Sequence, residues 1–234
     1  MVEHTIAAIQ EVLRILTPGQ RQQIAAWIYG YTGQAHDIAE PGVGYGAIAA
    51  EGLPVEEYLR LERRSEIRHE YVAGDVFAMS APSLRHEAIV MNLGRELSAH
   101  LRGGPCQAFV SNVKVHIQRA QNQFFYYPDA VVVCGPLDMG KHLIDNPRLI
   151  VEVLSPSTES TDRREKAQNY RSIASLEEYV LVSQYEPLIT VQRRAENWLS
   201  RQISGLNTAA EFRSVALSVP LSSIYEGVAH WSFA

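Results

Sequence analysis

Two carboxylates stand inside otherwise apolar stretches of this chain: Asp129 in "YYPDAVVV" (126–133) and Glu152 in "LIVEVL" (149–154). Two negative charges close together in a low-dielectric layer cannot both stay ionised without a cation. Mg²⁺ fits that need. It takes one or two carboxylates, keeps several waters, and leaves positions open for phosphate oxygens. Lys166 offers a second answer. A helix beginning near Arg163, with Asp162 and Glu165 at capping-box spacing, puts Lys166 one turn in. Tyr170 and Ile173 follow it on the sheet-facing side, so Glu152 could be paired by that ammonium instead of by a metal. Spacing alone leaves both readings open.

The elements that position these groups follow from hydrophobic periodicity. Residues 149–154 are apolar on both faces, as in a central strand covered by helices. Strands are also expected at 112–117, 124–133, 178–182 and 188–194, and a helix at 163–174. Upstream, residues 54–67 read as a short helix opened by Pro54, followed by a hairpin turning at Gly74. A long helix follows with Ser83 as its N-cap, on which His86, Val90, Leu93, Leu97 and Leu101 share one face. The order is mixed α/β (α+β mixed), a central mixed β-sheet flanked by helices.

Ahead of that domain (54–228), residues 1–32 read as a helical hairpin. Ile6, Ile9, Leu13 and Leu16 make one stripe, and Ile24, Trp27, Ile28 and Tyr31 another. The hairpin is expected to pack on the main domain or on a copy of itself, giving a homodimer. A glycine-rich linker (33–53) follows it, with no spacing that suggests a phosphate cradle.

The 234 residues are 46% hydrophobic and 20% charged, with a formal net charge of −5, which weighs against tight nonspecific binding to a polyanion through bulk charge. The N-terminal stretch lacks the order of a secretory signal, and no apolar run is long enough to span a bilayer. A cytoplasmic protein without membrane partners is expected. Two cysteines are too few for a disulfide framework, and Cys134, after "AVVV", reads as a small buried hydrophobe.

The joint pattern "YYPDAVVVCG … PRLIVEVLSPSTESTDRREKAQNYRSI … EEYVLVSQ", preceded by "RHEYVAGDVFAMSAPSLRHEAIVMNL", resembles the Uma-two family. These are restriction-endonuclease-like proteins of the PD-(D/E)XK nuclease superfamily, and the resemblance runs from about Pro54 to Gly227. It implies a restriction-endonuclease-like core and a divalent-metal-dependent endonuclease acting on DNA. Asp129 and Glu152 would bind Mg²⁺ or Mn²⁺, and the metal would help activate a water that attacks the phosphodiester. Glu70 and His86 match the family's N-terminal pattern, Glu70 as a further carboxylate for the metal or its waters. The pattern departs at one point. The superfamily carries lysine two residues after the second acid, where this chain has Leu154. Lys166 is the replacement expected from the following helix, with Lys114 in "NVKVHI" as its rival. If neither reaches the acids, the alternative is an inactive nuclease fold that binds DNA or a protein partner.

Overall fold

The computed structural model describes residues 48–156 and 158–228. The helical hairpin expected at 1–32, the dimer contact assigned to it, most of the linker, and Ser157 lie outside the described residues. Among the described residues no helix is long and apolar enough to cross a membrane.

In chain order the elements are β1 (Ile48–Ala50), α1 (Val55–Glu62), β2 (His69–Val72), β3 (Asp75–Ala78), α2 (Leu84–Leu101), β4 (Cys106–Val110), β5 (Lys114–Arg119), β6 (Asn122–Tyr126), β7 (Ala130–Cys134), β8 (Leu143–Ile144) and β9 (Leu149–Leu154). Then comes a helix in three parts: α3 (Glu159–Thr161), a π-helical turn (Asp162–Lys166) and α4 (Ala167–Arg171). β10 (Glu178–Ser183), β11 (Leu188–Arg193), β12 (Ser200–Ser204), β13 (Ala209–Phe212), β14 (Leu217–Pro220) and α5 (Leu221–Ile224) complete the domain.

The strands form two six-stranded mixed sheets, ordered β1-β3-β2-β6-β5-β8 and β12-β11-β10-β9-β7-β4, plus the β13–β14 pair. β9 lies inside the second sheet, parallel to β10 and antiparallel to β7, with all six residues buried. Its period-2 alternation splits the core. Leu149, Val151 and Val153 join Ile89, Val90, Leu93 and Leu97 of α2 in one cluster. Ile150 and Leu154 join Tyr170, Tyr179 and the apolar side chains of β5 and β6 in another. Each fully buried Val, Leu or Ile contributes roughly 1.5–3 kcal/mol, so either register slip would forfeit several such contributions. Glu152 shares its face with Ile150 and Leu154, under the crossover helix that joins β9 to β10.

The expected strand 124–133 is two strands in two sheets. Pro128 has no N–H to donate to a ladder, and the neighbouring Tyr127 N–H goes to the Glu70 carboxylate (3.3 Å) instead of to a strand. The chain therefore leaves β6 and enters β7 on the other sheet, with Asp129 at the crossing. The hairpin turn at Ala73–Gly74 has both residues at positive φ, 52° and 115°, as a type I′ turn requires.

The two cysteines face each other across β4 and β7 and form a disulfide. This corrects the reading of Cys134 as a lone buried hydrophobe. The pairing depends on β4, whose half-exposed residues carry no clear alternation.

Ser83 caps α2 as expected. Its hydroxyl accepts from the His86 N–H (3.1 Å) and donates to Gln184 (2.9 Å). Ser83→Ala should lower stability by about 1 kcal/mol, or roughly 2–4 °C in a thermal melt. An unchanged melting temperature would show that the cap contributes nothing.

Candidate active site

The β7–β9 register sets the geometry. Ala130 pairs with Val151 and Val131 with Ile150, so one further step places Asp129 opposite Glu152. The two residues interlock there. The Asp129 N–H donates to Glu152 Oε2 (3.3 Å), and the Val153 N–H donates to Asp129 Oδ2 (2.6 Å). Asp129 thus sits at the mouth of β7, not within a continuous strand, and is still held by the ladder's backbone.

Three other elements complete the cluster. Glu70, from β2 of the first sheet, is 4% exposed and ion-pairs with Lys166 Nζ at 2.8 Å. Lys166 closes the π-helical turn and also reaches Glu152 Oε1 at 3.6 Å and Asp162 Oδ1 at 3.3 Å. Tyr170, one turn later, donates from its hydroxyl to Glu152 Oε1 (3.0 Å). His86, on the first turn of α2, places Nε2 3.2 Å from Asp129 Oδ2. The structure therefore brings Asp129, Glu152, Lys166, Glu70 and His86 together. It does not bring Lys114 to them. That ammonium lies over the rings of Tyr127 (5.5 Å) and Tyr58 (5.9 Å). Among the described residues it has no ion pair with Asp129 or Glu152.

Asp162 was missed. Its expected role as a helix cap is wrong, because the helix starts at Glu159 and Asp162 lies inside it. The side chain is buried against Lys166. The i,i+4 spacing of Asp162 and Lys166 is the sequence signal that could have found it. Short π segments are frequent at functional sites. Here the wider turn brings Lys166 and Asp162 onto the side facing Glu152.

The electrostatics follow from burial and count. Burial pushes the Glu152 carboxyl well above the carboxylate range. Lys166 pulls it back only in part, and Asp162, Asp129 and Glu70 push it further. Glu70 and Asp162 are likewise raised, first by burial. Burial alone would lower Lys166, but Glu152, Glu70 and Asp162 together hold it well above its ordinary value. For His86, burial is outweighed by the hydrogen bond and charge of Asp129, and its pKa is raised. Four acids surround one permanent cation, so the cluster is short of positive charge. It opens into a cleft of about 1020 Å³, which Glu70, His86, Asp129, Glu152, Asp162 and Lys166 all line.

Acids from neighbouring strands of a mixed sheet meet a lysine from the crossover helix in an α/β fold that has a solved counterpart. A crystal structure from Anabaena variabilis, described as "a putative nuclease belonging to DUF820", matches with a TM-score of 0.60 at 18% identity, over 74% of this chain and 98% of that one. The chain belongs to the Uma2 family, described as "Putative restriction endonuclease", which it matches over residues 55–222. The expected family and fold class are thereby borne out. Two relatives from Synechocystis sp. are similar along nearly their whole length. "Uncharacterized protein slr1290" is 36% identical, over 76% of this chain and 93% of its own. "Uncharacterized protein sll1609" is 29% identical, over 68% and 92%.

Proposed function

We propose that this protein is a divalent-metal-dependent endonuclease that hydrolyses DNA phosphodiester bonds, with Asp129 and Glu152 as the metal ligands. The observation that carries the reading is the register that sets these two acids opposite each other at a cleft whose carboxylates outnumber its cations.

The donor set fits a hard cation. Glu70, Glu152 and Asp162 share Lys166 as their permanent positive charge, and Asp129 has the His86 imidazole 3.2 Å away. Among the described residues no group of three or more His, Cys, Asp or Glu side chains is arranged around one point. The fit is to Mg²⁺ or Mn²⁺ held by two carboxylates and otherwise by water and substrate oxygens. When bound, such an ion acidifies a water and neutralises charge on the phosphoryl group.

The chain's own residues do the positioning. Val153 N–H and His86 Nε2 fix Asp129, and the Asp129 N–H and Tyr170 hydroxyl fix Glu152, so both ligands are held by strand backbone and buried partners. Lys166 keeps its proton at neutral pH and so serves as a fixed charge, not as a base. It stands beside the acids, where negative charge develops on the phosphoryl oxygens in the transition state. Glu70, at 2.8 Å, aims it.

The test is a calorimetric Mn²⁺ titration of the wild type and of Asp129→Ala, because metal binding requires no knowledge of the right DNA. Binding by the wild type that falls at least 100-fold in the variant supports the site. Equal affinity in two folded proteins rules out Asp129 as a ligand.

One observation favours a second reading. Lys166 already pairs with three of the four acids. On that reading the cluster is a buried ionic scaffold in an inactive nuclease fold that binds DNA or a protein partner.

A further inference from the structure

The mouth of the cleft differs in chemistry from its floor. Among the described residues nine large hydrophobic side chains are well exposed, and four of them line this one cleft. They are Ile67 (55% exposed), Met79 (39%), Leu84 (82%) and Tyr185 (47%). They come from four separate places: the loop before β2, the end of β3, the first residue of α2 and the β10–β11 turn. Clustering of exposed apolar groups around a charged floor marks a binding surface. Arg68 and Arg85 also line the cleft.

We infer that this rim is a base-stacking subsite and that, on the nuclease reading above, the substrate is single-stranded DNA. A duplex presents sugars and phosphates outward and keeps its bases stacked inside. To bring a phosphate of a duplex to the acids, its backbones would have to press charge against Leu84, Met79 and Ile67, losing water with no polar partner in return. A single strand presents the opposite chemistry. Its phosphates can turn to the arginines and the acid floor, while its unstacked bases lie on Tyr185 and the aliphatic groups beside it, in the manner of stacking platforms. The charge balance agrees. A duplex-tracking surface neutralises many phosphates with Lys and Arg, whereas this chain carries a net charge of −5 and offers two cleft arginines besides the acid-bound Lys166.

The experiment is fluorescence anisotropy of the full chain with a labelled twelve-nucleotide oligothymidine, its duplex with oligoadenosine, and the same single strand as RNA. The buffer contains Ca²⁺, and strand integrity is checked afterwards. The DNA single strand should bind at least 10-fold tighter than the duplex. Its affinity should fall with salt with a log–log slope of about −1.4, as expected for two phosphates on a single strand. Tyr185→Ala, in an exposed turn, should weaken the single strand by roughly 5- to 100-fold and change the duplex less than twofold. Met79→Ala should move the single strand in the same direction. Duplex bound as tightly as single strand, equal losses on both, or no DNA bound at all would overturn the subsite. RNA bound tighter than DNA would overturn the assignment to DNA. Cleavage in Mn²⁺ separates this inference from the reading beneath it. A strand held through Tyr185 but never cut keeps the subsite and removes the nuclease, and a duplex cut faster than a single strand does the reverse.

Discussion

Lys166→Met should be the most destabilising single change in this domain, lowering stability by about 3–5 kcal/mol and the melting temperature by roughly 10 °C or more. The ammonium is buried and is shared by Glu70, Glu152 and Asp162. Methionine fills a similar volume but leaves three buried carboxylates without their cation. The pH dependence is specific. Those carboxyls have folded pKa values above their ordinary ones, so folding takes up protons. Their contribution to stability is most favourable below the ordinary carboxylate range and declines as pH rises through it towards the raised values. In the wild type Lys166 offsets this. Its own pKa is raised, so its contribution is complete below the ordinary lysine value of about 10.4 and is lost only above it. Without the lysine the decline deepens. Melts in EDTA should therefore show Lys166→Met gaining stability between pH 8 and pH 5 relative to the wild type. Adding Glu70→Gln to the variant should recover part of the loss at pH 8. A melting temperature within about 2 °C of the wild type at pH 8 would mean that the lysine and its acids are not coupled as the distances imply.

How much of this could be read before the structure depends on which physical signal each feature carries. Strand β9 was legible to the residue, because five apolar positions around one acid have no helical reading of so short a length and are bounded by proline on both sides. Helix α2 was legible from its stripe and from Ser83. The pairing of Asp129 with Glu152 was not, because register between strands separated by an irregular loop is set by long-range packing that leaves no local trace. The break at Tyr127–Pro128 is visible as a proline, yet the periodicity of 124–133 reads as one strand running through it. That Pro128 hands the chain from one sheet to another depends on Glu70 taking the Tyr127 N–H, a contact across 57 residues. Asp162 was misread for a related reason. Asp at a helix start is a good cap, and only the buried Lys166 explains why it lies inside the helix instead. Lys166 and Lys114 could not be separated by sequence either. Each lies one element from an acid, and only the fold turns one towards Glu152 and the other towards Tyr58 and Tyr127.

Glu152→Gln should separate the two readings of the cluster, because it is expected to move stability and metal affinity in opposite directions. Glutamine keeps the size and one carbonyl oxygen to accept from Tyr170, while Lys166 retains Glu70 at 2.8 Å and Asp162 at 3.3 Å. One buried negative charge is removed from a set already in excess. Burial and the three neighbouring acids are what hold this carboxyl well above its ordinary range, and the neutral amide feels neither the lost hydration of a charge nor their repulsion. The melting temperature in EDTA should therefore hold or rise by a few degrees. Mn²⁺ affinity should fall at least 100-fold, and DNA cleavage with it. A residue whose charge is costly to the fold and needed for the chemistry is the signature of a site selected for activity over stability. The inactive-scaffold reading expects the reverse: a melting temperature lower by more than 5 °C, because a structural counter-ion of Lys166 has gone, and no change in the Mn²⁺ isotherm. That pair of results would make Glu152 an ion-pair partner and end the nuclease proposal for this chain.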